Sequence, residues 1–155
     1  MQFSLRRLLW NLALPLTVGG LSALITRGSM EQYQQLNQPP LSPPGAVFPI
    51  VWTALFLLMG ISTDRLGSRG HTPQWGSAWK IYGAQLLVNF LWPIFFFQLG
   101  WYLFAFFWLI LLAVLVVWMI RRFYRLVPLA GWLQIPYLLW LLFAGYLNLG
   151  VYLLN

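Results

Sequence analysis

The sequence predicts an all-α membrane protein, a bundle of five transmembrane helices in a single domain. Three observations predict it. Of 155 residues, 61% are hydrophobic and only 7% are charged, whereas soluble domains carry about 25% charged residues. The apolar residues gather into runs long enough to cross a bilayer. The basic residues gather at one end of those runs.

The first run, 8–26, follows Arg6 and Arg7. It has the charge and apolar stretch of a secretory signal but no convincing small-x-small cleavage site. It also continues to Thr26, which makes it long enough to span. The others cover 46–62, 78–97, 101–120 and 129–154. Each is near the roughly 17–25 residues that cross the hydrocarbon core, and too long for a buried strand. Lys80 is the only charged residue inside a run. Pro136 lies within the last run and predicts a kink there.

The connections differ in kind. Residues 27–45 are polar and end in Gln38-Pro39-Pro40-Leu41-Ser42-Pro43-Pro44-Gly45. The prolines predict an extended, semi-rigid loop, long enough to act as a lid. The second connection, 63–77, is polar and Gly-rich; the third is a tight turn at Gln98-Leu99-Gly100. The fourth carries Arg121, Arg122 and Arg125. One side of the membrane therefore holds Arg6, Arg7, Arg65, Arg69, Lys80, Arg121, Arg122 and Arg125, and the other holds only Arg27. The positive-inside rule predicts a cytoplasmic amino terminus, with the proline-rich loop and Asn155 opposite.

Several function classes are excluded. The net charge of +7 lies in short gaps between spans, not in a nucleic-acid-binding stripe. Without cysteine there is no thiolate metal site or thiol nucleophile. The two acids, Glu31 and Asp64, fall on opposite sides of the membrane and cannot form a catalytic pair. His71 is a lone loop histidine. No conventional catalytic constellation is present, and no acid inside a span suggests a proton-coupled carrier.

Polar residues within the spans locate a candidate pocket. Gln85, Asn89, Trp92 and Phe96 recur at steps of four, three and four, on one helix face. Tyr137, Trp140, Ala144 and Asn148 do the same on the last span. At about 1.5 Å per residue, Trp52, Asn89 and Ala144 lie roughly 9, 12 and 15 Å below the loop-side surface. They converge in the half of the bundle beneath the proline-rich loop. Gly19, Gly20 and Ser22 on the first span leave room or permit close approach. Trp10, Trp75, Trp79, Trp101, Trp118 and Trp132 lie near span ends, where tryptophans usually anchor at the interface. Gln85 and Asn89 read equally well as ligand contacts or as hydrogen-bond links between helices.

Three stretches carry a family resemblance. Pro39-x-x-x-Pro43-Pro44-Gly45-x-x-Phe48-Pro49-x-x-Trp52-Thr53-x-Leu55 resembles the first loop and second helix of the translocator protein family. That family is also called the tryptophan-rich sensory proteins or peripheral-type benzodiazepine receptors. Gln85-Leu86-x-x-Asn89-x-x-Trp92-Pro93-x-x-Phe96-Phe97 resembles its third helix. Pro136-Tyr137-Leu138-x-Trp140-x-x-Phe143-Ala144-x-x-Leu147-Asn148 resembles its fifth. The resemblance implies a ligand cavity under the first loop, lined by Tyr33, Pro44, Trp52, Asn89, Phe96, Trp140 and Ala144. Trp52, Phe96 and Trp140 would stack on a planar ligand, with Tyr33 and Asn89 donating hydrogen bonds.

The function it implies is a membrane receptor or sensor for porphyrins, protoporphyrin or haem, and other hydrophobic planar ligands. The alternatives it implies are light-dependent porphyrin degradation through a tryptophan relay, and transport of tetrapyrroles or lipids. No cofactor is required, and porphyrin or haem is the expected ligand. The expected partners are the lipid bilayer and a second copy in a homodimer, with Gly83-Ala84 as a close-contact surface; nucleic acid is not one. Two departures stand out. Leu41 replaces a tryptophan that many members carry between the proline pairs, and Gln32 replaces an aromatic residue. Tyr152 is followed by Leu153, Leu154 and Asn155, so the sterol pattern lacks its basic residue and a sterol ligand is disfavoured.

Overall fold

The computed structural model describes residues 4–68 and 73–155 of the chain. Arg69 and His71 lie outside the described residues. Helix α1, Leu5–Thr26, begins at Ser4, whose hydroxyl accepts from the Arg7 amide at 3.2 Å, a standard N-cap. It passes through a 3-10 turn, Arg27–Ser29, into a short helix α2, Met30–Gln34. Then come α3, Val47–Gly67, and α4, Pro73–Pro93, which widens into a π-turn, Ile94–Gln98. Helices α5, Tyr102–Leu126, α6, Pro128–Trp132, and α7, Ile135–Leu154, complete the chain.

Five stretches are long and apolar enough to cross a membrane: Leu5–Gln34, Val47–Gly67, Trp75–Gln98, Tyr102–Leu126 and Pro128–Leu154. Two details differ from the sequence reading. The 27–45 connection starts as helix, because Met30–Gln34 contains neither proline nor glycine and its Met, Glu and Gln favour helix. The last span is also not one kinked helix. It breaks at Leu133 and Gln134, and Pro136 falls in the first turn of α7. A proline costs little there, because the first-turn N–H groups have no helical acceptor anyway.

Around the bundle, α1 packs on α3 and α4, α4 on α5, and α5 on α7. Helix α6 bridges α5 and α3. Between α3 and α7 the contacts include aromatic pairs, Phe48 with Trp140 and Trp52 with Tyr137. Gly60 sets the α1–α3 spacing: a Cβ there would stand 2.7 Å from Leu12 Cα and 2.8 Å from the Asn11 carbonyl oxygen. At the same end Arg7 Nε pairs with Asp64 Oδ1 at 2.8 Å. Ser62 Oγ donates to the Ala130 carbonyl at 2.7 Å.

Leu9, Trp10, Leu24, Phe107, Leu139 and Leu142 point outward and stay exposed. An apolar surface of that extent needs lipid, not water, against it.

Candidate functional site

The loop between α2 and α3 is held down, not free. Asn155 Nδ2 donates to the Asn37 carbonyl at 2.8 Å, and Asn37 N–H donates back to Asn155 Oδ1 at 3.1 Å. Tyr146 Oη donates to the Pro40 carbonyl at 2.6 Å. Pro39 is buried against α7 at Gly150, where a Cβ would meet the proline ring at 2.5 Å. The turn Pro39–Ser42 closes with Ser42 N–H on the Pro39 carbonyl, and Leu41 takes φ 71°. That left-handed value normally calls for glycine or asparagine. The Leu41 side chain is 83% exposed, so this departure from the family pattern points away from the bundle interior.

Beneath the loop, α1, α3 and α4 part around a cavity of about 310 Å³. Helix α1 lines it with Gly19, Ser22, Ala23 and Thr26, joined by Arg27 and Met30 beyond its end. Helix α3 contributes Phe48, Pro49, Trp52 and Phe56, spaced so that Phe48, Trp52 and Phe56 share one face. Helix α4 contributes Asn89, Trp92 and Pro93, and Phe97 follows on the π-turn. Trp52 stacks on Phe56 with ring centroids 5.7 Å apart, and Trp92 stacks on Phe96 at 5.2 Å. The result is an aromatic wall with few polar groups, the usual composition of a small-molecule cavity.

Of the residues expected at a site, Trp52 and Asn89 line this cavity. Tyr33 and Phe96 are buried beside it, with Tyr33 edge-on to Phe48, Phe96 and Phe97. Trp140 lies behind Phe48, their centroids 6.0 Å apart, and its indole N–H is buried with no acceptor among the described residues. Ala144 is buried on α7, one turn beyond Trp140. Pro44 is exposed on the loop. Phe48 thus stands between the cavity and the α7 residues. Its role, and those of Phe56 and Arg27, were not read from the sequence. The i, i+4 spacing from Trp52 was the signal for the two phenylalanines.

The polar residues on the α4 and α7 faces form hydrogen bonds with each other. Asn89 Nδ2 donates to Tyr137 Oη at 2.6 Å, Tyr137 Oη donates to Gln85 Oε1 at 2.8 Å, and Gln85 Nε2 points to Met59 Sδ at 3.9 Å. The chain runs one way, because the Met59 thioether can only accept. Asn89 therefore uses one of its two amide N–H groups on Tyr137 while the residue lines the cavity. Trp92 Nε1 donates to Asn148 Oδ1 at 3.0 Å, and Asn148 Nδ2 to the Tyr102 carbonyl at 2.8 Å. Among the tryptophans read as interfacial anchors, Trp10, Trp101, Trp118 and Trp132 are exposed, but Trp75 is buried in the core.

Five helices long and apolar enough to cross a membrane, three of them parted around an aromatic cavity, define an integral, multi-pass membrane protein. The family model described as TspO/MBR matches residues 11–154, and the chain belongs to that family. It is 37% identical over 129 residues to the translocator protein homolog of Schizosaccharomyces pombe, covering 81% of this chain and 78% of the relative. It is 35% identical over 130 residues to the tryptophan-rich sensory protein of Cereibacter sphaeroides, covering 81% and 77%. With the translocator protein of Bos taurus it shares 33% identity over 141 residues, covering 87% and 82%.

Proposed function

We propose that this protein is a membrane receptor or sensor that binds porphyrins, such as protoporphyrin or haem, and other hydrophobic planar ligands. The observation that carries the reading is the 310 Å³ cavity with Trp52, Phe56, Trp92 and Phe97 on its walls. Flat aromatic walls favour a flat, apolar ligand through stacking and burial. The sensory name of the Cereibacter sphaeroides relative agrees with this reading. The amino terminus is cytoplasmic by the charge count. The assembly is a homodimer through α4, where Gly83 and Ala84 are exposed and a Cβ on Gly83 would meet nothing within 4 Å.

Titration with protoporphyrin in the dark tests the ligand, read by tryptophan quenching. Trp52→Ala is expected to weaken binding about ten-fold or more, the scale of one lost stacking contact. Trp132→Ala, exposed at 63%, leaves it unchanged. Equal binding by wild type and Trp52→Ala would move the ligand out of this cavity. Stable porphyrin absorbance under illumination supports a receptor, whereas bleaching to a defined product supports the degradation alternative.

A further inference from the structure

Arg27 is out of place. Of nine lysines and arginines it alone falls at the loop end, where the positive-inside rule disfavours a basic residue. It has no ion-pair partner among the described residues, although Glu31 follows one turn later; Arg7 at the other end of the bundle, by contrast, pairs with Asp64. Instead Arg27 lines the cavity together with Met30. A guanidinium beside an apolar cavity is a recognition group for a carboxylate or phosphate, which it binds through charge-assisted hydrogen bonds.

The second polar feature is the Asn89 amide, which lines the same cavity. Ser22 Oγ donates to the Phe90 carbonyl at 3.2 Å, so Ser22 marks the level of Asn89 on α1. Arg27 lies five residues further along the chain, about 8 Å nearer the loop. The Asn89 orientation is fixed from below by the sequence Met59, Gln85, Tyr137 described above. Arg27 and Asn89 therefore line the cavity at two depths, together with aromatic rings.

We propose that the cavity takes an amphiphile whose anionic group sits at Arg27. Its flat apolar body lies against Trp52 and Trp92, and a polar group about 8 Å deeper meets the Asn89 amide. This rests on the planar-ligand reading and narrows it to acids. The anionic group belongs either to a free ligand or to a lipid headgroup that reaches the same guanidinium.

The test compares acid and ester forms of two probes on purified protein in zwitterionic phosphatidylcholine nanodiscs. The probes are protoporphyrin with its dimethyl ester, and pyrenebutyrate with its methyl ester. Wild type is expected to prefer each acid about ten-fold, the effect of one charge-assisted contact. Arg27→Gln removes that preference by weakening the acid while leaving the ester unchanged. Arg27→Lys keeps most of it, and Arg125→Gln, an exposed residue at the other end, keeps all of it. If Arg27→Gln weakens acid and ester alike, or neither, the proposal is overturned. Failure of both porphyrin forms with a retained pyrenebutyrate preference would defeat the porphyrin reading and leave the Arg27 assignment standing. Failure of all four probes overturns both.

Nanodiscs containing phosphatidylglycerol separate the sources. Loss of the acid preference there, with the anionic lipid retained by wild type but not by Arg27→Gln in native mass spectrometry, assigns the site to a lipid headgroup. An unchanged preference assigns it to a free acid.

Discussion

The two ends of the bundle are held by different kinds of contact. At the basic end α1 and α3 touch backbone to backbone at Gly60, Arg7 clamps Asp64, and Ser62 ties α3 to α6. At the loop end α1, α3 and α4 separate around a cavity, and α3 meets α7 through edge-on rings such as Phe48 and Trp140. Backbone contact, ion pairs and short hydrogen bonds have one good geometry. Aromatic pairs at 5 to 6 Å keep much of their attraction when the rings slide. At the basic end the helices therefore meet backbone to backbone, whereas at the loop end rings and the docked loop hold them around the cavity.

The largest break in this contrast should come from Gly60→Val. The new Cβ would lie 2.7 Å from Leu12 Cα, and backbone cannot yield as a side chain can. The expected cost is about 3 kcal/mol, seen as a large fall in melting temperature in detergent. Gly20→Val, where a Cβ meets nothing within 4 Å, should leave melting nearly unchanged. Comparable losses at both positions would refute the tight basic end.

Tyr137→Phe comes next. It leaves the buried amides of Gln85 and Asn89 each short of a partner, at a cost of about 1–3 kcal/mol. It should also free Asn89 to turn, weakening ligands that depend on its amide more than ligands that only stack. Asp64→Asn should cost less, about 1–2 kcal/mol, since Arg7 is partly solvated. Its deficit should narrow in 1 M salt, which screens the wild-type pair. Leu41→Gly should have the smallest effect and the opposite sign. Relief of a left-handed leucine outweighs the added chain entropy by about 0.5 kcal/mol, read as a small rise in melting temperature.

Much of the bundle was legible because lipid imposes a length and an apolarity on every span. The ends were less legible. Helix α3 runs on through Asp64 and Arg65, and α5 through Arg121, Arg122 and Arg125, because charged side chains end a membrane span without ending a helix. Within the site, the face carrying Gln85, Asn89 and Trp92 was readable from its period. The partners of those side chains were not. Asn89, Tyr137 and Gln85 sit 48 and 52 residues apart across their hydrogen bonds, and no local pattern encodes which amide atom is left over.

The sequence by itself determined the solvent, the number of spans, the helix faces that carry polar groups and the family pattern. Each follows from composition or from periodicity along one helix. Only the tertiary structure decided that Phe48 stands between the cavity and Trp140, that Pro39 docks on Gly150 and that Arg27 lines the cavity. These depend on how far each helix is rotated and where it meets its neighbours. Those quantities are set by the fit of side chains from separate spans, which no single span contains.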